Sequence, residues 1–330
     1  MPVRQRDTGL DVFKAFLVIG MIYAHVLDIW RLSFTGSDFI SALLNVVSFS
    51  GFLFCFGYAA QIAYFSEERL NYRRIFATIY RPLLAFYLVG LYIEVFLLQQ
   101  LPALSDIVSV LLLSRLPLDS EFLPAFSLTL LASVVLLKPL RWILESRRRV
   151  LIACFLLLLT TFFPYQIIRM PQLGLLVGTT QDVSLTFPVL QYFIFFLLGL
   201  YFGRNTLLDI PLVVKIMGLV GIAAFCVLVL KMQAPERFPP SLGWILGGLA
   251  FVMIEYVVAR FLDKWALVRR WLVPIGENTL IYLVISNMML FGIRRIVLSQ
   301  VNFVVSLLCT AFVVVGIYYL LSITRRIKTV

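Results

Sequence analysis

Apolar runs long enough to cross a bilayer recur ten times along this chain, at residues 10–30, 39–64, 77–98, 121–138, 150–168, 186–203, 211–230, 242–262, 275–293 and 301–323. A spanning helix needs about 20 predominantly apolar residues. The chain is 62% hydrophobic and 14% charged, against about 45–50% and about 25% in soluble domains. Its 330 residues leave room for about ten such helices with short connections. The expected fold is therefore all-α: a polytopic integral membrane protein of about ten transmembrane helices, forming one domain over residues 1–330.

A further run at 104–116 is short and carries Asp106 and Arg115, so it reads as interfacial or re-entrant, because 10–14 apolar residues rarely span. The basic residues test this arrangement, since cytoplasmic loops collect Lys and Arg. With the N-terminus inside, the clusters at 69–81, 138–149, 260–270 and 325–328 all fall inside. Counting 104–116 as a span would move the 138–149 cluster outside. Ten spans with both termini cytoplasmic is thus the preferred topology. The net charge of +11 follows the same loops and forms no basic face with stacking aromatics, so no nucleic-acid partner is expected. Cys55, Cys154, Cys226 and Cys309 lie singly in apolar runs, and the chain has one histidine, which argues against a Cys/His metal site. Arg4 and Arg6 precede the first apolar run, but Asp11, Lys14 and His25 within it mark a retained helix rather than a cleaved signal peptide.

Ionisable groups inside a bilayer cost about 2.5–3.5 kcal/mol each on insertion scales and are functional candidates for that reason. The first run holds Asp11, Lys14, His25 and Asp28. At 100° per residue, Lys14 and His25 fall within about 20° of each other and about 16 Å apart along the axis. Asp11 precedes Lys14 by three positions and Asp28 follows His25 by three, so each acid neighbours a base on one polar stripe. An imidazole there is suited to taking a proton from a hydroxyl, with Asp28 placed to fix its tautomer. Alternatively, Asp11 and Lys14 lie at the interface with Lys14 snorkelling, and His25 is a hydrogen-bonded core residue. Glu94, Glu255, Asn45, Gln61, Gln191 and Asn287 also fall in apolar runs; the two glutamates are proton carriers or simple partners of an arginine or a backbone group.

The stretch before the third run, RLNYRRIFATIYRP, clusters Arg73, Arg74 and Arg81. Guanidinium forks suit phosphate, whether on a bound substrate or on lipid headgroups.

Several segments together resemble the acyltransferase-3 family of polytopic membrane O-acyltransferases. LDVFKAFLVIGMIYAH at 10–25 is similar to the family's opening Asp-x-x-Arg/Lys, ten residues, then His. SFSGFLFCFGY at 48–58 resembles its Phe- and Gly-rich second helix, and RRIFATIYRPLL at 73–84 its Arg-rich approach to the third. YFIFFLLGLYFGR at 192–204 and PIGENTLIYLVIS at 274–286 are similar to late Phe-Phe-x-x-Gly and Gly-x-x-Ser/Thr-Leu segments. Two positions depart from the commonest pattern: Lys14 stands where Arg is usual, and Ser286 where many members carry His.

The resemblance implies transfer of an acyl group, often acetyl, from acyl-CoA on the cytoplasmic side to a hydroxyl of a glycan or lipid-linked saccharide, in a bacterial cytoplasmic membrane. His25 would be general base or transient acyl acceptor, Lys14 its basic partner, Asp11 the group orienting Lys14, and Arg73, Arg74 and Arg81 the holders of the donor's phosphates. The competing reading is a proton-coupled carrier of a sugar or lipid intermediate with His25, Glu94 and Glu255 as a relay. No pair of matching half-repeats supports it. A third is a non-catalytic relative retaining the fold.

Overall fold

The computed structural model describes residues 6–30, 36–67, 70–98, 103–117, 120–163, 168, 170–178, 187–205, 212–231, 235–294 and 302–327. Among the described residues every regular element is helical. In chain order these are α1 (Thr8–Trp30), α2 (Ser37–Ala60, continued by a π-helical turn, Gln61–Phe65), α3 (Tyr72–Leu98), α4 (Leu104–Leu111), α5 (Phe122–Val135), α6 (Leu137–Leu144) and α7 (Arg147–Leu159). There follow α8 (Pro171–Val177), α9 (Val189–Arg204), α10 (Leu212–Leu230), α11 (Leu242–Leu262), α12 (Ala266–Glu277), α13 (Thr279–Arg294) and α14 (Phe303–Ile327).

Among the described residues five helices are long and apolar enough to cross a membrane: Thr8–Trp30, Ser37–Phe65, Tyr72–Val95, Leu242–Leu262 and Phe303–Thr324. Counting α5 with α6 and α12 with α13 as broken spans, bent by 82° and 76°, brings the number to seven. This is a polytopic, all-helical membrane protein. Each of the ten apolar runs contains helix, but α7 (13 residues) and α9 (16 residues) are shorter than a full span, and two runs are broken. Residues 164–167, 186, 211 and 301 of those runs, and Arg69 of the basic stretch, lie outside the described residues.

The run at 121–138 stops being helical at Leu136 (φ −89°, ψ 20°). Pro139 explains this, because a proline ring in a continuous helix collides with the carbonyl four residues earlier, here that of Val135. The run at 275–293 is divided at Asn278, whose side-chain amide donates to the Pro274 carbonyl at 2.7 Å and so takes an acceptor that a continuing helix would use. The segment at 104–116 contains only the eight-residue α4, about 12 Å long and too short to span. Arg115 clips it by an ion pair to Asp106 (3.2 Å).

The chain divides into two compact units, Met1–Ser48 with Phe251–Val330, and Phe49–Ala250. In the first, α1 packs against α12, α13 and α14. Its N-terminus is capped by Asp7, whose Oδ1 accepts from the Leu10 N–H (3.2 Å), satisfying one of the orphan donors of the first turn. Phe13 of α1 meets Tyr256 edge to face, ring centres 5.5 Å apart. At Gly276 an added Cβ would overlap the Asp11 carbonyl, so only glycine lets α12 lie this close.

In the second unit the close approach is between α2 and α9. A Cβ at Gly57 would overlap the Phe196 carbonyl, and one at Gly199 the Phe54 carbonyl. Small residues let membrane helices reach backbone contact where burial against lipid provides little drive. Phe49, Phe122, Phe126 and Tyr192 fill the neighbouring core with mainly edge-to-face contacts. Gly199→Val is therefore expected to lower the unfolding midpoint in detergent, at an overpacking cost of about 1–3 kcal/mol. Gly316→Ala, where an added Cβ meets nothing within 4 Å, is expected to leave it unchanged or raise it. Thermal unfolding of the two variants side by side checks this; equal midpoints would remove the argument for the crossing.

Candidate functional site

The polar stripe of α1 is a continuous helical surface, and its two ends have different surroundings. At the N-terminal end Asp11, its side chain 4% exposed, accepts Lys14 Nζ on Oδ1 and Arg6 Nε on Oδ2, both at 2.6 Å. Arg6 also reaches Glu277 of α12 at 3.1 Å. A carboxylate buried this deeply needs its oxygens paired, and here each has a cation. Hydrogen bonding to Asp11 holds the Arg6 guanidinium above its ordinary pKa, so Arg6 stays charged across the working range. One turn away, Arg260 pairs with Asp7 at 2.5 Å, and Thr8 donates to Asp263 at 3.0 Å.

Three turns further along, His25 is buried and its Nδ1 lies 2.9 Å from Oδ1 of Asn287 on α13, itself 1% exposed. Asp28, expected beside this ring, is exposed and accepts from Ser41 of α2 at 2.7 Å. An amide from another helix is thus one partner of the imidazole. By helix geometry Lys14 and His25 remain about 16 Å apart on the same side of α1.

Arg73, Arg74 and Arg81 belong to the other unit, the first two on the first turn of α3 and Arg81 on its third, and all three are exposed. Asn71 caps this helix, its Oδ1 accepting from the Arg74 N–H at 3.1 Å. The Arg74 guanidinium lies over the Tyr64 ring, 5.6 Å from its centre. Arg74 and Arg81, seven residues apart, fall within about 20° on one face. Cations at a helix N-terminus oppose the helix dipole, and a bound anion would relieve both. Glu94 is paired with Arg115 at 3.0 Å, the structural alternative to a proton carrier.

The contacts with Asn287, Glu277 and Arg6 were not visible in the sequence. Asn287 was visible only as one of several amides in apolar runs, and Arg6 only as a topology signal; nothing in their spacing links them to α1's stripe.

The family model described as an acyltransferase domain matches residues 7–323. The chain belongs to the acyltransferase-3 family. The match takes in both units and every residue of the α1 stripe, so the resemblance carried by residues 10–25 extends over nearly the whole chain. No curated protein and no solved structure matches it. As an acyltransferase-3 family member it is a membrane acyltransferase, and α1, with its buried carboxylate at one end and buried imidazole at the other, is the helix on which chemistry of that kind has its candidate groups.

Proposed function

We propose that this acyltransferase takes an acyl group, in the simplest case acetyl, from acyl-CoA and places it on a hydroxyl of a glycan or lipid-linked saccharide. The observation that carries the reading is the buried His25 imidazole, held through Nδ1 by Asn287, on the helix that also carries the Asp11–Lys14 pair. His25 removes the acceptor's hydroxyl proton as its oxygen attacks the thioester carbonyl. The carbon–sulfur bond breaks, and the imidazolium returns the proton to the departing CoA thiolate. Thioester and alcohol thus become ester and thiol with no other reactant.

The distribution of Lys and Arg supports both termini on the cytoplasmic side. Lys14 then stands near the donor's side and His25 in the outer half, where the acceptor waits, in a bacterial cytoplasmic membrane. Arg73, Arg74 and Arg81 bind the donor's phosphates, for which exposed guanidinium forks are suited. Lys14, oriented by Asp11, is the basic partner of the reaction path.

The test is protein reconstituted in vesicles with acetyl-CoA labelled in the acetyl group and an extract of surface glycan. Label is expected to move to the saccharide with release of free thiol. Intact thioester in the presence of folded protein and acceptor would overturn the acetyl reading, and saccharide flux driven by pH without any donor would replace it with a carrier.

A further inference from the structure

We infer that Asn287 is a positioning residue, its side-chain oxygen accepting the Nδ1–H of His25 and so placing the imidazole's lone pair on Nε2. The inference rests on the reading of His25 as general base. It adds which nitrogen does the work and what makes it so.

A neutral imidazole has one N–H and one lone pair, and the partner of one nitrogen decides the role of the other. The atom of Asn287 that faces Nδ1 is the carbonyl oxygen, at 2.9 Å. An acceptor there requires the proton on Nδ1, which leaves Nε2 as the base. Residues 25 and 287 are 262 positions apart and meet only because α13 packs along α1. Both are buried, 9% and 1% exposed, so water does not compete freely for the ring. The neighbouring side chain, Ser286, is tied into its own helix by a hydrogen bond to the Leu283 carbonyl.

Use of an amide rather than a carboxylate has a consequence. Asn287 orients the ring without placing a negative charge beside it, so its contribution lies in the tautomer and the aim of the ring. Replacing it by Asp keeps an acceptor on Nδ1; replacing it by Leu keeps volume and removes the acceptor.

His25 is the one histidine in the chain, so protein labelled with nitrogen-15 only in histidine yields the signals of this ring alone. In the wild type, Nδ1 is expected to carry hydrogen and Nε2 the lone pair. Asn287→Leu is expected to admit the opposite tautomer and to lower kcat about 100-fold, the scale of a positioned acid–base group, with KM for acyl-CoA changed by less than about two-fold. Asn287→Asp is expected to retain the wild-type tautomer and restore most of kcat. A wild-type spectrum with hydrogen on Nε2 would overturn the inference without any variant, as would unchanged signals and turnover in folded Asn287→Leu. His25→Ala separates the two levels: if it is inactive while Asn287→Leu behaves as wild type, only the role of Asn287 falls. If it is fully active, the base reading falls with it.

Discussion

Glutamine at position 25 is expected to reduce acyl transfer by about 10²–10⁴-fold, the usual contribution of a positioned general base, while the chain still folds. Alanine is expected to lose as much activity but to be the less stable of the two. Removing the ring takes from the buried Asn287 amide the hydrogen bond it makes at 2.9 Å, a loss of about 0.5–1.5 kcal/mol. Glutamine retains an N–H able to reach that oxygen but has no group that takes up a proton near neutrality. The pair therefore divides what His25 does for the fold from what it does for the reaction. The measurements are turnover of labelled acyl donor in vesicles and the unfolding midpoint in detergent. Turnover in His25→Gln equal to that of the wild type would leave the proposed mechanism without its base.

Much of this site was legible because it lies along one helix. The spacing of Asp11, Lys14 and His25 on a 3.6-residue period is a property of the sequence alone, and α1 is unbroken over Thr8–Trp30. The Asp11–Lys14 pair follows from the same rule, being neighbours three apart. That rule also places Asp28 one turn beyond His25; its carboxylate accepts from Ser41 of α2, and the ring has a partner on α13, two contacts between helices that no local spacing shows. The helix breaks have local causes that hydrophobicity conceals. Pro139 and Asn278 sit inside runs that are apolar throughout, and each acts on a single backbone carbonyl. What no local pattern contains is the close approach of Gly276 to the Asp11 carbonyl, which joins positions far apart in the chain.

Removal of the Asp11 carboxylate, by Asp11→Ala, is expected to destabilise the protein by about 2–3 kcal/mol and to impair transfer as well. The carboxylate is 4% exposed and holds two cations at 2.6 Å, and breaking a buried pair by deleting one member costs about 3–5 kcal/mol. The expected value lies below that range because Arg6, with its side chain 56% exposed, recovers solvation, and Lys14, at 22%, recovers part of it by extending toward the interface. A second substitution, Lys14→Met, separates the causes. Replacing both members of a buried pair by apolar groups is often neutral, so Asp11→Ala with Lys14→Met is expected to regain most of the lost stability. It is not expected to regain activity, because the basic group of the stripe is gone. Unfolding midpoints and turnover measured on the wild type, both single variants and the double variant close the cycle. A double variant as stable and as active as the wild type would show that the pair serves neither the fold nor the reaction, and would confine the chemistry of α1 to its imidazole end.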